Sequence, residues 1–195
     1  MAATYLFAVE GLGTLPDLET IDKNLLLKAR QAINRAADRA RTQADRQIRT
    51  KLNFPARYLS SRLTVRDRAT GTNLSAVIMG RDQPTSLARF VTNKNANSIR
   101  KAGGATVHVG TGGAKKIPGS FLITLRNGNQ GLALRLKPGE TVKGKRVAAK
   151  QLAPNLYLLY GPSVDQAFRT EVDKSDLLDD TLDFLETEFR RLMEL

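Results

Sequence analysis

The chain has 195 residues, 41% of them hydrophobic and 26% charged, which suits a single globular core of ordinary size. It contains no cysteine, and this excludes disulfides, thiolate metal sites and cysteine nucleophiles together. The formal charge of +12 is uneven: residues 170–195 hold nine acids against Lys174, Arg190 and Arg191, leaving 28 basic and 10 acidic residues in 1–169. A basic body with an acidic tail has three readings, namely nucleic-acid binding, head-to-tail pairing of copies, or a plainly solvated surface. No apolar run approaches the roughly 20 residues of a membrane helix, and MAATYLFAVEGLG lacks the basic region that opens a signal peptide.

In chain order, residues 4–10 (TYLFAVE) read as a strand or short extended arm. From about 20 to 53 the pattern predicts a long amphipathic helix. Leu25, Leu26, Ala29, Ile33, Ala36, Ala37, Ala40, Ala44 and Ile48 share one arc at 100° per residue, and Lys28, Arg35, Arg39 and Arg46 share the opposite one. Asn53-Phe54-Pro55 ends it, because the residue before proline resists helical geometry. A helical turn is expected at 55–61, then strands at 62–67 and 74–80 joined around Gly71, and a brief helix over 85–91. Residues 93–104 (NKNANSIRKAGG) read as a polar, mobile basic loop. Strands follow at 105–109, 120–126, 131–137 and 156–160, with GTGGAKK at 110–116 as a glycine-rich connection and 143–150 as a second basic stretch.

Gly161-Pro162 stops the last strand, and Ser163 with Gln166 three residues later reads as a capping box opening a helix. A further helix starts near Ser175, with Leu178, Leu182, Leu185, Phe189 and Leu192 at i, i+4, i+7 spacing. The expected fold is therefore α+β and a single domain over 1–195. It comprises a long N-terminal helix, a sheet-rich body over 54–160 with about five or six antiparallel or mixed strands, and an acidic helical end at 161–195.

No catalytic constellation emerges. Gly139 to Arg146 approaches the phosphate-binding loop, but Arg146 stands where the magnesium-binding hydroxyl belongs, and Pro138 precedes it where a buried strand should run. His108 is the sole histidine and lacks the partners of a zinc site or a serine–histidine triad, so a strand histidine with a local hydrogen bond is the expectation. Asp176, Asp179, Asp180 and Asp183 sit where the helix dipole favours acids, and lack calcium-loop spacing. No cofactor, metal or catalytic residue is expected. Arg100-Lys101, Lys115-Lys116 and Lys143/Lys145/Arg146 add to the basic helix stripe, yet no aromatics interleave with them, so any nucleic-acid contact would be with phosphates.

Three words of the chain, PTSLARF at 84–90, IPGSFLITLRNGNQGLALRLKPGE at 117–140 and LYLLYGPSVDQAF at 156–168, stand in the order of a known family. Through them the chain resembles the minor tail protein Z family of long-tailed phages and prophages, departing at Gln83, where many relatives are expected to carry a charge. The resemblance implies a structural virion protein, not an enzyme. It would complete the tail at its head-proximal end, after assembly in the host cytoplasm. It also implies a ring of six copies around the tail axis, with neighbouring tail and neck proteins as partners, DNA passing through, and no membrane. A ring needs heterologous contacts. Candidate interaction residues are Lys28, Arg35, Arg39, Arg46, Arg81, Arg89, Tyr160, Asp165, Asp179, Asp180 and Asp183. The alternative is a non-specific nucleic-acid-binding module using the basic surface.

Overall fold

The computed structural model describes residues 5–8, 23–137, 140, 148–174 and 176–194. In chain order the elements are β1 (Tyr5–Ala8), α1 (Lys23–Lys51), α2 (Ala56–Ser60), β2 (Leu63–Asp67), β3 (Ser75–Gly80), β4 (Thr85–Ser86), a 3-10 turn (Leu87–Phe90), α3 (Ala96–Lys101) and β5 (Gly104–Val107). The chain continues through β6 (Lys115–Pro118), β7 (Ser120–Thr124), β8 (Gln130–Arg135), β9 (Ala148–Ala153), β10 (Leu156–Gly161), α4 (Val164–Lys174) and α5 (Leu177–Met193). The fold is α+β, and every described strand pair is antiparallel. The chain divides into two compact units: Met1–Ile48, Leu59–Asp82 and Asp165–Leu195 form the first, and Arg49–Tyr58 with Gln83–Val164 the second.

In the first unit, α1 buries Ala29, Ala32, Ile33, Ala36, Ala37, Ala40, Ala44 and Ile48, so the alanine-rich arc read from the sequence is the packed face. Alanine has no side-chain entropy to lose and favours the helix. Its small size also admits close neighbours: Ile33 and Ala37 pack with Ala69 and Ala76, and Val65, Leu74 and Leu185 close around them. Polar contacts fix the register. The Asn34 amide donates to the Ala69 carbonyl at 3.1 Å and accepts from the Ala69 N–H at 2.9 Å, satisfying both backbone groups of one loop residue. Arg41 donates through Nε to the Leu63 carbonyl at 3.0 Å and through its second guanidinium nitrogen to that of Ser60 at 2.8 Å. The sheet of this unit runs β1–β3–β2, and its β2–β3 connection turns through Thr70–Asn73 around Gly71.

Both helices at the chain's end bury acids within their packed faces. Helix α4 buries Ala167, Phe168 and Val172 as an amphipathic stripe, and with them Asp165 and Glu171. Helix α5 buries Leu177, Thr181, Glu188 and Leu192. Its leucine stripe is thus only partly packed: Leu192 is buried and Leu185 packs against the α1 core, while Leu178 and Leu182 are 42% and 51% exposed.

The second unit is organised by β10. Its five-stranded sheet runs β4–β10–β8–β7, with β9 on the free side of β10, and β5–β6 form a separate ribbon. Leu158 and Leu159 are buried in the sheet's core with Leu132 and Ala133 of β8. Asn127-Gly128 makes the β7–β8 hairpin turn, Gly128 adopting φ 75°, a left-handed conformation that glycine takes without steric cost. Gly104 opens the β5–β6 ribbon at φ 148°, where a Cβ would lie 2.2 Å from the Ile117 carbonyl oxygen.

Four local expectations change. Residues 93–104 are not a loop throughout: Asn95 caps α3 by accepting the Asn97 N–H, and Ile99 is the buried anchor that holds this short helix. Lys115 and Lys116, assigned to a glycine-rich connection, begin β6, where Thr106 and Val107 supply a ready strand edge. Residues 85–91 are a two-residue strand and a 3-10 turn, because Tyr160 and Gly161 of β10 pair with Ser86 and Thr85. Ala148–Lys150, in the second basic stretch, belong to β9, returned by Pro154 and by Asn155 at φ 61° onto β10. Gly139 and residues 141–147, with Lys143, Lys145 and Arg146, lie outside the described residues, as do residues 20–22 at the expected helix start.

Candidate functional site

The three sequence words meet in the second unit. PTSLARF supplies β4 and the 3-10 turn, the 117–140 word supplies β7 and β8, and LYLLYGP supplies β10, which pairs with both. Within PTSLARF nearly every side chain has an internal task. The Thr85 hydroxyl lies 3.2 Å from that of Tyr58, and Ser86 accepts the Ala88 N–H at 3.3 Å as the cap of the turn. Leu87, Ala88 and Phe90 are buried, and the Phe90 ring is tilted against Phe54 at 5.2 Å. Arg89 remains exposed with its guanidinium 4.1 Å above the Tyr58 ring, a cation–π contact. Ser163 directly precedes α4 and is buried.

The candidate residues distribute as follows. Arg35 donates to Glu188, and Arg39 lies 4.3 Å above the Phe184 ring, so both reach α5 within the first unit. Lys28 is half-buried and Arg46 exposed. Arg81 is half-buried, and its carbonyl accepts the Asp165 N–H at 3.0 Å. Asp165 is buried and pairs with Arg169 at 2.9 Å, one turn along α4. Arg89 and Tyr160 both belong to the second unit, Tyr160 half-buried beside the cleft described below. Asp179, Asp180 and Asp183 are exposed on α5.

Glu188 is the residue the sequence did not single out. It accepts from Arg191 at 2.8 and 3.0 Å and from Arg35. The hydrogen bonds from Arg191 and then Arg35, outweighing desolvation, hold its carboxyl down at about 2. The same contact raises the Arg191 pKa. A carboxylate between two guanidiniums on facing helices clamps α5 to α1. Only the Arg191 half, at i+3, was readable from spacing.

Charge follows the units. In the second, sixteen basic side chains stand against Glu140 alone; of the chain's 31 basic and 19 acidic residues this leaves 15 and 18 for the first. Two apolar clefts accompany this division. In the first unit Ala29, Ala32 and Ile33 face Leu182, Leu185 and Phe189 around about 330 Å³. In the second a cleft of about 600 Å³ is lined by Leu52, Leu87, Val107, Val109, Ile117 and Tyr160, with Lys115 and Lys116 also lining it. Among the described residues no three His, Asp or Glu side chains are placed to share a metal ion, and no helix is long and apolar enough to cross a membrane.

The family model for prophage minor tail protein Z matches residues 10–179 of the chain. No curated protein and no solved structure matches it.

Proposed function

The chain belongs to the prophage minor tail protein Z family and is thus a phage minor tail protein, a virion component; from that premise we propose that it completes the tail at its head-proximal end by assembling as a ring of copies around the tail axis. The mechanism is binding and geometry, with no chemical step. The observation that carries the ring is the division of charge between the two units of one chain. A closed ring uses heterologous contacts, in which one surface meets a different surface of the next copy. Opposite charge on the two surfaces gives such contacts register and speeds encounter. Sixfold tail symmetry makes six the expected copy number, with neck and tail proteins on the ring's two faces.

Electron microscopy of the head–tail joint tests this directly. A symmetric ring whose density accommodates this chain is the expected result. A joint without such a ring, or tails completed normally when the chain is deleted, overturns it.

A second reading has an observation of its own. A unit with a single acid among sixteen bases is strongly polycationic, and DNA crossing the joint is a polyanion. Phe54, Tyr58 and Phe90 are buried in the protein, so base stacking is not on offer there and the contact would be with phosphates. Duplex binding should then weaken steeply and log-linearly with salt. Binding with that slope by a chain that stays monomeric favours this reading over the ring.

A further inference from the structure

We propose that the exposed face of α5 of one copy docks in the lysine-flanked cleft of the second unit of the next copy, making this the repeating contact of the assembly; the proposal rests on the ring reading above.

The phase of α5 decides which of its residues meet solvent. Leu178 and Leu182 are exposed although the same helix buries a threonine and a glutamate. At 100° per residue, Glu186 lies about 40° from Leu182, and Asp179 and Asp183 follow at about 60° and 100° from it on the same exposed side of the helix. This is an amphipathic surface of aliphatic knobs bordered by carboxylates. Leu182 borders the open cleft against Ala29, Ala32 and Ile33, yet about half of it, and of Leu178, stays in water, so covering them would gain further apolar burial.

The cleft of the second unit is its complement. Its lining is chiefly aliphatic, and its volume of about 600 Å³ accommodates inserted side chains. Lys115 and Lys116, both exposed on β6, supply positive charge at this site, and Gly110, Gly112 and Gly113 let its wall run as bare backbone. An apolar slot with cationic groups receives an amphipathic acidic helix in the helix-in-groove manner, with leucines as anchors and carboxylates meeting ammonium groups. Nucleic acid suits the slot less well, because phosphates would gain nothing from its aliphatic lining. The signature residue Tyr160 and the GTGGAKK segment thereby acquire one shared task.

The absence of native cysteine makes a direct test simple. Full-length Leu182→Cys and Ile117→Cys are purified separately, mixed, and oxidised. The expected product is a disulfide-linked heterodimer; with both cysteines on one chain, a ladder of covalent oligomers is expected. Only homodimers, or no link at all, overturn the docking. Charge reversal gives an independent readout by native mass measurement across concentration. Lys115→Glu with Lys116→Glu, and separately Asp179→Lys with Asp183→Lys, should each weaken assembly by about tenfold or more, and combining all four should restore it. Oligomers unchanged in both variants overturn the docking while the ring reading stands. A joint map with no ring overturns that reading whatever the crosslinks show. Loss of duplex DNA binding in Lys115→Glu/Lys116→Glu, with oligomer mass unchanged, assigns the cleft's lysines to nucleic acid and also overturns the docking.

Discussion

The word PTSLARF is conspicuous in the sequence, and the structure makes it scaffold. Phe90→Ala tests this. Phe90 is 3% exposed, and its ring fills the space beside Phe54 while its carbonyl accepts the His108 N–H at 2.8 Å. Truncation removes a buried ring and leaves a cavity that the paired strands cannot close, at a cost of about 3–5 kcal/mol. Arg89, one residue earlier, has its guanidinium exposed over Tyr58. Losing that contact in Arg89→Ala costs about 0.5–1 kcal/mol. Adjacent residues of one word should therefore differ several-fold, and the larger loss is a sizeable share of the ~5–15 kcal/mol that holds a domain folded. Urea unfolding followed by far-ultraviolet circular dichroism reads both. If Phe90→Ala folds with near-normal stability but fails to assemble on tails, the word is a contact surface and the packing argument is wrong.

The Glu188 clamp predicts acid sensitivity. Its carboxyl is lowered from 4.5 to about 2 in the folded chain, so its stabilising effect is complete above about 4.5 and is lost as pH falls toward 2. Glu188→Gln should flatten thermal stability over that window, and an unchanged pH profile would refute the clamp. Gly104→Ala places a methyl group 2.2 Å from the Ile117 carbonyl oxygen, so the β5–β6 ribbon must distort, at a cost on the order of 1–3 kcal/mol measurable by urea midpoint. Asn34→Leu strips both hydrogen bonds from Ala69 and should cost about 1–3 kcal/mol. Asn34→Asp keeps the acceptor for the Ala69 N–H and should lose less; equal losses would argue against the two-way pairing.

What was legible in the sequence was whatever repeats along a single element. The arc of alanines from Ala29 to Ala44 gave α1 its face, and runs such as SFLITLR and LYLLY located β7 and β10 within a residue or two. What was not legible depends on a partner. Strands β4, β6 and β9 read TS, KKIP and AAKQLA, with few of the branched or aromatic residues that announce a strand. They are extended because Gly161, Val107 and the outer edge of β10 offer them hydrogen bonds. Likewise NKNANSIRKAGG carries too little apolar text to suggest a helix. One cap at Asn95 and one buried Ile99 are enough when the neighbouring strands are in place.

The candidate site divides along the same line. Arg35 and Arg39 share an arc with Lys28 and Arg46 when only α1 is considered, and that arc reads as a basic stripe toward solvent. Helix α5 changes its meaning, since Glu188 and Phe184 engage those two arginines within the chain. The engagement fixes the rotation of α5. With Glu188 turned toward α1, the arc holding Leu177, Thr181 and Leu192 is packed, and Leu178 and Leu182 are left at the edge of the contact, about half exposed. Had the helix followed hydrophobicity alone, Leu178 and Leu182 would face inward with Leu185 and Leu192, and Glu188 would move to the edge of the packed face. Only the Glu188 end of this ion pair is buried, Arg35 and Arg191 being half-exposed, so it is not expected to stabilise more than an apolar contact would. Its geometry leaves Leu178 and Leu182 about half exposed beside Glu186 and Asp179, the surface proposed above to meet the next copy.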